Sequence, residues 1–211
     1  VGTGPVWIQA CAGALVTNFH IVSSSLCFSG KLYSASVRRI RAGSSIRYND
    51  GTIGEVDFAL NNDGISLVRL ASSLLFTDSI QATNIIAQDF VTPPGSSVTT
   101  AGWGKISQGR ILFSDRDLNQ IELTVIDRET CAERWSRLPI SSVQVTANHI
   151  CAGRSETGGR DGDFRDLGIP LIFSNILVGV HSFGKPVGNQ YYPLVYTSIS
   201  PYTNWIVENA N

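Results

Sequence analysis

The chain has 211 residues, of which 43% are hydrophobic and 16% charged, and a formal net charge of −1. This composition excludes a disordered chain and suits one large all-β domain, or two small fused units, with a real core. The near-zero charge gives no global field for nucleic acid, and no apolar run is long enough to span a membrane.

The four cysteines and three histidines follow no zinc spacing and include no CxxC. Disulfides in a secreted protein are therefore expected, with three pairings open and neither metal nor cofactor called for. The lack of any Met and of a signal peptide reads as a mature, processed product.

Along the chain, strand signals dominate. The basic cluster Val37-Arg38-Arg39-Ile40-Arg41 reads as an exposed strand edge, with a heparin-like site as the alternative. Tyr48-Asn49-Asp50-Gly51-Thr52 carries Asp-Gly turn chemistry, which supplies the positive φ a hairpin needs. Thr92-Pro93-Pro94-Gly95 reads as a crossover between two halves, and the β-branched run from Ser96 to Trp103 as a strand. Ile121-Glu122-Leu123-Thr124-Val125 alternates apolar and polar residues, as a half-buried strand does. A short helix is expected from Asp127, and a buried strand over the apolar run from Ile176 to Phe183. Ser200 as N-cap and Pro201 in the first turn open a C-terminal helix, with Tyr202, Trp205 and Ile206 on one face. Short strands with turn signals between them argue for barrels or sandwiches.

Four segments go further. They are Cys11-Ala12-Gly13-Ala14-Leu15-Val16 through Ser24-Ser25-Leu26-Cys27; Asn62-Asp63-Gly64-Ile65-Ser66-Leu67-Val68-Arg69-Leu70; Ala101-Gly102-Trp103-Gly104; and the run GGRDGDFRDLGIPL over 158–171, followed by Val180-His181-Ser182-Phe183-Gly184. In this order they resemble CGGxLV…TAAHC, NDIALVRL, AGWG, GGRDxCxGDSGGPL and VSWG of the chymotrypsin-like serine proteases, closest in look to insect trypsins. The resemblance implies an all-β fold of two antiparallel six-stranded barrels, about residues 1–95 and 96–199, with a cleft between them and a closing helix over about 200–209. It implies the pairings Cys11–Cys27 and Cys131–Cys151. The family's further bridge falls on Asp163 and Val187 and is absent.

The same resemblance places the triad positions on Leu26, Gly64 and Leu167. None of these side chains can act as base, carboxylate or nucleophile. Arg165 and Ile169 replace oxyanion-loop glycines, so that loop is expected to take another path. Asp161, Ser182, Gly184 and Leu194 fall on the specificity pocket, with Leu194 expected to fill it. Asp161 either pairs with a neighbour such as Arg160 or Arg165 or lies in a solvated loop. Asp166 matches the aspartate that receives the N-terminal amine in the family, so a cationic partner is expected for it: the Val1 amine or a loop arginine. His20, His149 and His181 read as structural histidines, with His181 facing the cleft remnant. Ser23, Ser24 and Ser25 read as part of a buried strand. The expectation is a secreted chain that is not an enzyme but a serine protease homolog binding an unidentified protein, in immune or proteolytic-cascade regulation, with no nucleic-acid or membrane partner. The alternatives are an abundant storage or structural secretory or egg protein, and a small-ligand carrier using the filled-in cleft.

Overall fold

Ile121, Leu123 and Val125 point into a core while Glu122 faces water, so the alternation in sequence becomes a half-buried strand from Asn119 to Ile126. The computed structural model describes residues 7–31, 33–103, 105–108, 111–112, 116–138, 144–153, 162–163, 167–184 and 191–210, with the backbone alone at 105–108, 111–112 and 162–163.

The first half holds β1 (Gly13–Leu15), β2 (His20–Ser24), β3 (Arg39–Ala42), β4 (Thr52–Asn62) and β5 (Ile65–Leu70). The second half is built from β6 (Asn84–Ile85), β7 (Ser97–Gly102), β8 (Lys105–Gln108), β9 (Ile111–Leu112), β10 (Asn119–Ile126), β11 (His149–Gly153), β12 (Gly162–Asp163), β13 (Pro170–Phe173), β14 (Ile176–Phe183) and β15 (Leu194–Ser198).

Six of these strands close a barrel in the order β13-β7-β10-β11-β15-β14, because β13 pairs with both β7 and β14. The first half runs β1-β2-β5-β4-β3, and among the described residues β1 and β3 do not meet. The expected all-β architecture stands, with one correction: the second barrel is closed and six-stranded, whereas the first is a five-stranded half-barrel. Its end strands have three and four residues, and no described sixth strand bridges them.

Strands β2 and β5 are buried on both faces. Ile21, Val68 and Leu70 fill the half-barrel, while Val22, Ile65 and Leu67 pack into the core of the closed barrel. That is why the apolar residues of β5, Ile65, Leu67, Val68 and Leu70, fall on both faces of the strand. Helix α1 (Arg128–Ser136) starts where expected: Asp127 accepts a bond from the Thr130 N–H at 2.9 Å, which also holds its carboxyl below the usual range. The tail differs from expectation in its first turn. Ser200–Tyr202 is a 3-10 turn capped by Ile199, with Ser200 inside it, and α2 follows at Thr203–Asn209. Both disulfides form as the resemblance implied.

Candidate functional site

Strand β2 runs into a 3-10 turn, Ser25–Cys27, opened by Ser24, whose hydroxyl accepts from the Leu26 N–H. The Cys11–Cys27 bridge pins this turn. The Ser25 N–H donates to the Gly64 carbonyl at 3.0 Å. The Leu167 carbonyl accepts from the Ala12 N–H at 2.8 Å and lies 3.8 Å from Cys27 Sγ. The structure thus brings the neighbourhoods of Leu26, Gly64 and Leu167 together between the two halves. Leu26, Leu167 and Ile169 do not form one buried apolar filling of the cleft. Leu26 is 63% exposed and Leu167 half-buried, while Ile169 is fully buried in the closed barrel. The three-residue turn lies at the surface and leaves the Leu26 side chain mostly exposed to water.

Gly64 belongs to a turn. Asn62 pairs with Ile65, and Asp63 and Gly64 between them have φ of 35° and 99°. This is the two-residue Asp-Gly hairpin connection that needs positive φ at both positions. Asp-Gly between two strands is a signal in the sequence that reading Gly64 only as a lost aspartate passes over. The Asp63 carboxylate is held elsewhere. Tyr202 Oη lies 3.0 Å from both its main-chain oxygen and its Oδ2, and Asn148 Nδ2 donates to Oδ2 at 3.1 Å. Burial first, then the bond to Asp63, pushes the Tyr202 hydroxyl up to about 12.

On the other side of the cleft, Gly168 N–H donates to the His181 carbonyl, and His181 N–H donates to Ile169, each at 2.8 Å. Beyond His181 no backbone bond reaches this edge of Ser182–Gly184 among the described residues. Leu194 is buried; a methyl group placed on Gly184 would sit 2.7 Å from Leu194 Cδ2 and 3.3 Å from His181 Nε2. His181 is buried with its ring 5.5 Å from Tyr196. Phe183 rests edge-on against Trp135 at 5.2 Å and against His149 at 5.5 Å. Trp135 is a positioning residue that sequence reasoning missed; its place on a weakly amphipathic helix gave no sign of the strand it supports. Arg160, Asp161, Arg165, Asp166, Val187 and Val1 lie outside the described residues, and Asp163 is described by its backbone alone, in β12. Ser23 and Ser24 are buried in β2 as expected; Ser25 has left the strand for the turn.

His20 is buried in β2, and His149 accepts from the Thr146 N–H at 3.0 Å through Nδ1. Burial lowers both imidazoles, aided by Arg69 at His20 and opposed by Asp63 at His149. The fold therefore favours neutral rings. Their contribution to stability is fully present above the ordinary value of 6.5 and is lost as pH falls from there through the lowered folded values. The urea midpoint should drop between about pH 7.5 and pH 5.5, and His149→Gln should flatten part of that drop. An unchanged pH dependence in the variant would rule out His149 as a contributor.

With this geometry in place, comparison with known proteins decides the family. The Trypsin family pattern matches residues 3–206. The chain belongs to the trypsin family. It is 28% identical over 217 residues to trypsin, alkaline C, of Manduca sexta, covering 98% of this chain and 82% of the relative. It is 30% identical over 212 residues to trypsin alpha of Drosophila melanogaster, covering 96% and 78%. Its fold matches neuropsin, a serine protease expressed in the limbic system of mouse brain, with a TM-score of 0.77 at 24% identity, over 96% of this chain and 89% of that one. It also matches the scabies mite inactivated protease paralogue S-I1, with a TM-score of 0.78 at 21% identity, over 95% and 88%. At these identities both likenesses speak for the fold alone. The sequence relatives correct one expectation. They are named as trypsins, so the inference from Leu26, Gly64 and Leu167 that the chain is not an enzyme is overturned by membership of a protease family and is withdrawn.

Proposed function

We propose that this trypsin-family chain is a secreted protein that takes up an extended polypeptide along the open edge of Ser182–Gly184, with a pocket that admits only a small side chain. The observation that carries this reading is the close approach of Leu194 to Gly184 beside a strand edge that, among the described residues, accepts and donates no backbone bond. A peptide adding to that edge gains main-chain hydrogen bonds, and its side chain meets Leu194 and His181 where a long basic group would need an open slot. The two disulfides fit an oxidising, extracellular compartment. Capture of a polypeptide in a proteolytic or immune cascade is the role this arrangement fits.

The test is direct binding, by fluorescence anisotropy, of peptides that differ only in the residue entering the pocket. Alanine should bind roughly tenfold tighter than arginine, and Leu194→Gly should shrink that ratio. Equal affinity for the two peptides in the unaltered protein would overturn the reading.

A further inference from the structure

Among the described residues the half-barrel is open along one seam, and a cavity of about 860 Å³ lies in it. One wall follows the chain from Val37 to Ser45 and so runs the length of β3; the facing wall follows Trp7 to Gly13. The floor is the half-barrel's own core, including Ile21, Phe28, Leu74 and Ile80. Strand β3 pairs with β4 on one edge, and its other edge has no strand partner among the described residues. An edge with no described strand partner beside an apolar cavity floor is a template for another strand.

Charge narrows the choice of occupant. Arg38, Arg39, Arg41 and Arg47 line the groove, and among the described residues no aspartate or glutamate does. Arg39 stacks 4.2 Å over the Trp7 ring, and Arg38 Nε donates to the Cys27 carbonyl at 3.2 Å. Arg41 donates to the main-chain oxygen of Asp50, and Arg47 Nε to Gln9 Oε1 at 2.7 Å. These contacts fix the guanidinium groups, and those of Arg38, Arg39 and Arg41 take no part in the described ion pairs, Arg69–Asp57 and Arg137–Glu133. Glu55 lies across from Arg39 on β4 but does not line the groove.

We infer that the seam is a docking groove for an extended polypeptide of alternating acidic and apolar residues, which pairs with the free edge of β3, lays its apolar side chains on the floor and offers its carboxylates to the arginines. A long-chain carboxylate would use the floor and one arginine but leave the β3 edge without a partner; a strand uses all three features. The groove is distinct from Ser182–Gly184, and the inference does not rest on the function proposed there.

The probe is a fluorescein-labelled peptide of alternating Glu and Val, about eight residues long, with alternating Lys-Val as control. The Glu-Val peptide should bind, more weakly as salt rises, and the control should not. Arg39→Gln together with Arg41→Gln should weaken binding about tenfold while far-UV circular dichroism stays unchanged; glutamine avoids setting a like charge against Glu55. Hydrogen exchange should slow at residues 39–42 when the peptide is added. Equal binding of the two peptides, unchanged affinity in the double variant, or binding of dodecanoate with none of the Glu-Val peptide would each overturn the inference. So would protection confined to Ser182–Gly184, an outcome that would leave the proposed function standing.

Discussion

Gly168→Ala should destabilise the fold by at least about 3 kcal/mol. Gly168 follows Leu167 at the join of the two halves with φ of 81°, a conformation that costs an L residue energy in any surroundings. The space is closed as well. An added Cβ would fall far inside contact distance of the Ala12 carbonyl oxygen and of Ser23 Oγ, and 3.0 Å from the Ser24 nitrogen. Ser23 Oγ already donates to that carbonyl at 2.6 Å, so both groups are tied in place and neither can yield cheaply. Gly95→Ala supplies the internal control. Its φ is 83°, but nothing lies within 4 Å of the added carbon, so it should cost only about 1 kcal/mol. Urea denaturation of the two variants separates backbone conformation from collision. Equal losses would show that the collision is relieved and that the join is softer than its contacts indicate.

Trp135→Ala is the second large effect, at about 3–5 kcal/mol. The indole is 5% exposed, meets Phe183 edge-on at 5.2 Å and Tyr192 at 5.5 Å, and donates from Nε1 to the Pro193 carbonyl at 3.1 Å. Truncation empties a cavity beside the second disulfide and leaves a buried carbonyl without its donor. Trp135→Phe keeps most of the packing and loses the bond, so about 1–2 kcal/mol is expected. Because Phe183 sits between Ser182 and Gly184, the alanine variant should also weaken binding of extended peptides there more than the phenylalanine variant does. A stability loss below about 1 kcal/mol in Trp135→Ala, read by the same denaturation, would contradict this account.

The parts of the fold legible in the sequence are those governed by near neighbours. Ile121 to Val125 shows its strand through alternation, Ile176 to Phe183 through a bounded apolar run, and α1 through the Asp127 cap three residues before Thr130. The Asp63–Gly64 turn is equally legible, as Asp-Gly between two strands. What could not be read was set by distant segments. Whether β1 reaches β3 depends on how far two short strands lie apart after folding. The exposure of Leu26 depends on which way a bridged turn faces, and the support of Phe183 by Trp135 on a helix roughly fifty residues upstream. The arginines of β3 stood out in sequence as a charged edge; that they border an apolar groove is a fact of three dimensions alone.

The double burial of β2 and β5 has a consequence for how this molecule can change. Strand β4 has water-facing positions at which substitutions are cheap, for example Glu55 and Asp57. Along β2 and β5 almost every side chain is fixed by one half of the molecule or the other, so Val22, Ile65 and Leu67 can vary only in step with partners across the join. Cut free, the half-barrel would turn that row of aliphatic groups toward water. The open half is therefore held in shape by its neighbour, which is how it can remain open.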